Sequence, residues 1–311
     1  MTPEESEQTA AVGTAIFHNI SNLIFSTGLF GAYILAFIIS MHIILQRKHN
    51  GPAHKALIAL LLGGFVMSAL LACASCVGNL LQVKSAFVVS LSGGVLTQEK
   101  AASLKAVPMI SLQEWSGNFI ILIADIAIIW RAWVLWAENK LIKCMLMIIL
   151  LADIGINIAD PIADTKLDIS LNININAVTL DWVSAVLNLT VNIVATLLIA
   201  HRAWTHHQFT CATLRNKKTQ VEAILLLMVE SGAIFGVVQI AIIIFNILDI
   251  QAASFSPVDS ATALLEVLYI CIAALNPVAL VILIQTGNTY EHSSHLEDVT
   301  SQEFNSVPNI N

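Results

Sequence analysis

A chain of 311 residues that is 57% hydrophobic and only 11% charged, with a mean hydropathy of +0.80, has more apolar surface than one water-facing core can bury. Soluble domains carry about 25% charged residues, so the excess points to a lipid solvent. The formal charge is −7, both tails are acidic, and no basic patch is interleaved with aromatics, which excludes nucleic acid as a partner.

Taken in order, the N-terminus carries Glu4, Glu5 and Glu7 where a cleavable leader would be basic, so the first apolar run is expected to serve as an anchor itself. Crossing the hydrocarbon takes about 20 apolar residues in a helix. Seven runs qualify: 20–45, 56–81, 113–136, 141–158, 178–202, 221–248 and 261–285. The fourth is the shortest and contains Asp153. The expected fold is an all-α integral membrane bundle of seven transmembrane helices over 20–285. A segment 1–19 is expected outside, and 286–311 as a disordered cytosolic tail rich in Ser, Asn and Glu. Orientation follows the cations. Ten of the 14 Lys and Arg, among them Arg47, Lys48, Lys140, Lys143, Arg202, Lys217 and Lys218, fall at odd-numbered connectors, which places the N-terminus outside and the C-terminus in the cytosol.

Two connectors on the other side carry strand patterns. Leu167, Ile169, Leu171, Ile173 and Ile175 alternate with polar residues, the period of a strand with one apolar face or of an amphipathic segment lying on the bilayer. Ala86-Phe87-Val88-Val89 and Val95-Leu96 flank Gly93-Gly94 as a hairpin would. Asn19-Ile20-Ser21 is a glycosylation sequon beside the first run, whereas Asn188-Leu189-Thr190 falls inside a span.

Ionisable groups at membrane depth are expensive, about 2.5–3.5 kcal/mol each at least, so each needs a reason. Asp125 and Glu266 are expected to face an outward cavity, with Asn188, Asn192 and Gln239 as further pocket residues. The alternative for these groups is hydrogen-bonded packing between helices. Arg131, among Trp130, Trp133 and Trp136, reads either as an interfacial anchor with its guanidinium snorkelling to water, or as a cytosolic switch pairing with Glu230 or Glu222. Asn276-Pro277 removes one backbone hydrogen bond from the seventh run and allows a kink. Asn276 is then free to serve the released carbonyl or to couple neighbouring helices.

Other chemistries find no footing. Cys73, Cys76, Cys144 and Cys271 lie in or beside apolar runs and read as small hydrophobes; Cys211 falls in a connector. The seventh run has no lysine for a retinal Schiff base, and His201, His206 and His207 lack metalloenzyme spacing. No catalytic residues, metal site or cofactor are expected.

Trp130-Arg131-Ala132-Trp133-Val134-Leu135-Trp136, the Asn188/Asn192 to His201-Arg202-Ala203-Trp204 stretch, and Val229-Glu230-Ser231-Gly232 resemble a large family of uncharacterised multi-pass proteins of mushroom-forming basidiomycete fungi, over residues 15–285. The resemblance implies a seven-helix fold and no particular activity. A weaker, topological likeness is to G-protein-coupled receptors: Arg131 sits where their third-helix arginine falls, and Asn276-Pro277-Val278-Ala279-Leu280 is similar to their seventh-helix Asn-Pro-x-x-Tyr, with Leu280 in place of tyrosine. The expected function is a receptor-like sensor of a small or amphiphilic ligand, in the plasma membrane, with the lipid bilayer and a cytosolic G protein or other effector as partners. The rival expectations are a proton-coupled solute transporter and a non-signalling membrane scaffold or lipid-interacting protein.

Overall fold

A computed structural model describes residues 3–46, 51–87, 95–170, 175–213, 220–250 and 256–305. These form seven helices: α1 Pro3–Gln46, α2 Pro52–Phe87, α3 Val95–Leu135, α4 Lys140–Ser170, α5 Ile175–Thr213, α6 Gln220–Asp249 and α7 Pro257–Asn305. Seven of seven are long and apolar enough to cross a membrane, over Val12–Gln46, His54–Lys84, Leu104–Leu135, Lys140–Thr165, Leu180–Gln208, Val221–Asp249 and Pro257–Ala279.

Local chemistry sets the starts. Pro52 follows Gly51 and Pro257 follows Ser256, each proline at the first helical position, where its missing N–H is not needed. Ser256 Oγ accepts the amide of Asp259 at 3.1 Å. Asn139 Oδ1 accepts the amides of Leu141 and Ile142 at 3.1 and 3.4 Å, capping α4 directly after the short turn that leaves α3.

The helices pack in a ring in chain order, closed by α1 against α7, with α3 also touching α5, α7 and α1. Within its apolar stretch α3 is 61% buried, against 17–33% for the others, so it is the central helix. The polarity of the bundle is inverted relative to a soluble protein. Asp125, Asp153, Asn157, Asn188, Asn192 and Gln239 are buried, while Phe17, Leu80, Leu141, Leu197, Val237 and Ile247 are exposed. Apolar side chains spread over the outside need a hydrocarbon solvent, and interior polar groups then bind helices to one another.

Several expectations change. Residues 167–170 end α4 and Ile175 begins α5, so the expected strand is not formed there; 171–174 lie outside the described residues. The expected hairpin fares the same way: Ala86-Phe87 end α2, Val95-Leu96 begin α3, and 88–94 lie outside. A helix already nucleated extends at one hydrogen bond per residue, and beside a bilayer it keeps its backbone satisfied without a partner strand. The same propagation carries α7 to Asn305, through the stretch expected to be disordered. At the other end of the chain, α1 begins at Pro3, so the segment before the first apolar run is helical from there on. Asn19 is helical, and its Nδ2 donates to Gln82 Oε1 on α2 at 3.0 Å.

Candidate functional site: an acid-lined cavity above a buried polar core

A cavity of about 620 Å³ opens in the half of the bundle that holds the C-terminal ends of α2, α4 and α6 and the N-terminal ends of α3, α5 and α7. Its apolar walls include Leu29, Phe30 and Ile270. Its charge is one-sided: Glu114, Asp160, Asp164, Asp181 and Glu266 line it, and among the described residues no Lys, Arg or His does. The sequence contains no Lys or Arg after Lys218, so α6 and α7 bring no counter-charge. Asp160 and Asp164 stand one turn apart on α4, and Asp181 comes from α5. One carboxylate oxygen from each lies within 4.8 Å of the others. Three carboxyl groups this close repel one another when ionised, and a hydrogen bond between the Asp160 and Asp181 side chains relieves part of that repulsion; the oxygens they present suit a cationic group better than an anionic one.

Of the expected pocket residues, Glu266, Asn188 and Gln239 line this cavity, whereas Asp125 and Asn192 do not. Both are fully enclosed beneath it, Asp125 at 0% exposure and Asn192 at 1%. Asn192 ties α5 to α6: its Nδ2 donates to Gly232 O and to Gln239 Oε1, each at 3.0 Å. The approach is close because Gly232 and Gly236, one turn apart, present no side chain to Thr196 and Asn192. Asn188 Oδ1 accepts from Asn157 Nδ2 at 3.2 Å, and Asn157 also donates to Asp153 Oδ1 at 2.9 Å. Tyr269 of α7 interacts with Gln239 and Asn188. The cavity floor is thus continuous with a polar core built from α3, α4, α5, α6 and α7.

At the other end of α3, the expected pairing of Arg131 with Glu230 or Glu222 gives way to a different contact. Arg131 is buried, and its Nη2 donates to Asn276 O at 3.0 Å and to Asn276 Oδ1 at 3.1 Å. Glu230 is exposed on α6, and Glu222 instead meets His207 Nδ1 at 2.7 Å. The reason lies in the ring order: α3 and α7 are in contact, whereas α3 and α6 are separated by α5 and α7. Snorkelling is also ruled out for this guanidinium, which points into the bundle. Asn276 therefore couples helices rather than serving the carbonyl that Pro277 releases, and α7 continues through Pro277.

The aromatic positions around Arg131 have partners of their own. Trp136 Nε1 donates to Leu198 O at 3.1 Å, and its ring lies 5.5 Å from that of His201 and 5.9 Å from the Arg202 guanidinium carbon. Lys143 sits 5.5 Å from the centroid of Trp133. Two of the stretches that carry the fungal resemblance are therefore packing partners.

Sequence reasoning did not place Asp160, Asp164, Asp181, Glu114, Asn157 or Tyr269 in the site. The available signal was the one-turn spacing of Asp160 and Asp164, hidden because the fourth span was ended at 158. With fold and site described, the class is an all-α, seven-helix, multi-pass membrane protein, with the lipid bilayer as its immediate surroundings. No protein-family model, curated protein or solved structure matches the chain.

Proposed function

We propose that this protein is a receptor-like sensor of a cationic, small or amphiphilic ligand, bound in the acid-lined cavity. The single observation that carries the reading is the lining itself, five carboxyl groups and, among the described residues, no basic one, set among apolar walls in about 620 Å³. An ammonium head gains from the carboxylates, and a short hydrocarbon portion gains from Leu29, Phe30 and Ile270.

In this reading the N-terminus and the cavity face outward, in the plasma membrane, by the distribution of cations. The C-terminus and the Arg131 end face the cytosol, where a G protein or another effector docks. Membership of the fungal multi-pass family belongs to the same proposal, and it rests on the sequence stretches around Arg131, Arg202 and Glu230. The rival, proton-coupled transport, draws support from Asp125 lying buried behind the cavity.

The test is binding of a fluorescent alkyltrimethylammonium probe to the purified protein in nanodiscs. Asp181→Asn and Glu266→Gln should each weaken binding about tenfold, or about 1.4 kcal/mol. An unchanged Kd in both variants refutes the cavity as the site. Probe-dependent nucleotide exchange on a panel of fungal Gα subunits then favours a receptor. Probe-independent, pH-driven solute flux that Asp125→Asn abolishes favours the transporter.

A further inference from the structure

A second cleft, also of about 620 Å³, opens at the opposite end of α3, where the chain turns into α4 beside α5. Its lining is cationic where the first cavity is acidic: Lys140 of α4 and Arg202 of α5 share it with Trp136 of α3. Trp136 is a fixed wall, because its Nε1 donates to Leu198 O at 3.1 Å. The Arg202 guanidinium carbon lies 5.9 Å from the centroid of that ring. Lys143, one turn on from Lys140, stands 5.5 Å from the centroid of Trp133, one turn before Trp136. Lys140 and Arg202 are exposed, and among the described residues neither they nor Lys143 meets a carboxylate in an ion pair. Glu138, also exposed, is the one acid among the described lining residues, so two cations against one acid leave a net positive cleft.

The cleft lies at a definite depth. The apolar stretch of α3 ends at Leu135 and that of α4 begins at Lys140, so residues 136–139 fall at the boundary between hydrocarbon and water. Val134 and Leu141, which also line the cleft, are 59% and 76% exposed and give it an apolar border. Tryptophans and cations gather at membrane boundaries in general, and anchoring accounts for each of them singly. It does not account for two cations from different helices that share one cleft beside an indole with no carboxylate paired to either. Like charges brought together repel, and an anion seated between them turns that repulsion into attraction. We propose that this cleft binds the headgroup of an anionic phospholipid, with its phosphate between Lys140 and Arg202 and its acyl chains along Val134 and Leu141. Guanidinium and ammonium groups both donate to phosphate oxygens. A phospholipid is selected over a soluble anion because charge and apolar surface adjoin here at the one depth where a phospholipid carries both. The site stands apart from the acid-lined cavity and does not depend on what occupies it.

The experiment uses the full chain in nanodiscs. Tryptophan quenching by phosphatidylglycerol brominated on its acyl chains is compared with quenching by brominated phosphatidylcholine at equal mole fraction. Wild type should be quenched at the lower mole fraction of the anionic lipid. Lys140→Gln and Arg202→Gln should each cut that preference about fivefold. Glu138→Gln should raise it. Lys55→Gln, which removes an exposed cation from the same end of the bundle, should leave it unchanged. Equal quenching by the two lipids overturns the proposal. So does a preference that survives both Lys140→Gln and Arg202→Gln, or one that Lys55→Gln lowers as much, which would be the general attraction of a basic face for an acidic bilayer. Inorganic phosphate exchanged for chloride at equal ionic strength should leave the preference in place; its loss would assign the cleft to a free anion and overturn the lipid. If Arg202→Gln does not fold, Lys140→Gln and Glu138→Gln, both at exposed side chains, decide by their opposite signs.

Discussion

The contact between Arg131 and Asn276 makes a prediction that separates it from any third-to-sixth-helix ion pair. Asn276→Leu removes the Oδ1 acceptor at 3.1 Å but leaves the backbone carbonyl at 3.0 Å, so the guanidinium keeps one of its two partners. A hydrogen bond to a charged group contributes about 1.5–3 kcal/mol, and the retained carbonyl places the cost near the lower end, about 2 kcal/mol. Arg131→Leu removes the buried charge together with its desolvation cost, and strands Asn276 Oδ1, whose amide nitrogen already lacks a partner; the net loss should be about 1–2 kcal/mol. Because each single change removes the same bond, the double variant should lose less than the sum, with a coupling of about 1.5 kcal/mol. The assay is unfolding of the four proteins in one lipid environment, with a parallel cycle for Arg131 and Glu230 expected to show no coupling. A value for Arg131 and Asn276 below about 0.5 kcal/mol, or an equal value in the Glu230 cycle, refutes the lock.

Three further outcomes follow from packing. Gly232→Ala drives a methyl into the Thr196 hydroxyl and to 3.1 Å from its Cγ2, so it should destabilise by about 1–3 kcal/mol, with Thr196→Ala restoring most of the loss in an unfolding titration. Glu222→Gln breaks a 2.7 Å contact to a His207 that is 48% exposed, and should cost under about 1 kcal/mol; a loss above about 2 kcal/mol would reveal a buried role for Glu222. Asn19 lies within the apolar stretch Val12–Gln46, in helix and bonded to Gln82, so glycosidase treatment of protein expressed in a eukaryotic host should leave its gel mobility unchanged.

The number of helices and their positions were legible because twenty-residue apolar runs have no other stable fate, and prolines after Gly51 and Ser256 mark two of the starts. Helix ends were less legible. Apolarity falls where a helix leaves the hydrocarbon, while its hydrogen bonds continue, as α4 does past 158 to Ser170 and α7 past 285 to Asn305. The strand pattern at 167–175 failed for a related reason: alternation describes side chains, and the helix already running through Thr165 set the backbone. Single polar residues inside the runs were recognisable as important, since each must be satisfied. Their partners were not, because pairing depends on the ring order and rotation of the helices. Arg131 was matched to the acids of α6 by depth alone, whereas its partner is an amide on α7.

The arrangement places a cavity residue and a core residue on each of the same two rigid elements. Along α7, Glu266 and Tyr269 meet the cavity, and Asn276 lies seven residues beyond Tyr269, about 10 Å at helical rise. Along α3, Ile121 lines the cavity and Arg131 lies ten residues farther, about 15 Å at helical rise. Any displacement of α7 against α3 that a cavity occupant favours therefore acts on the Arg131–Asn276 bonds. An occupant can move this equilibrium only by as much as it prefers one arrangement over the other, and the same free energy must appear in reverse. Under the receptor reading, then, breaking the lock with Asn276→Leu should change the affinity of the alkylammonium probe, although Asn276 does not line the cavity. Equal probe affinity in wild type and Asn276→Leu would mean that the two ends of the bundle are energetically independent, and would leave the cavity a binding site without a signalling role.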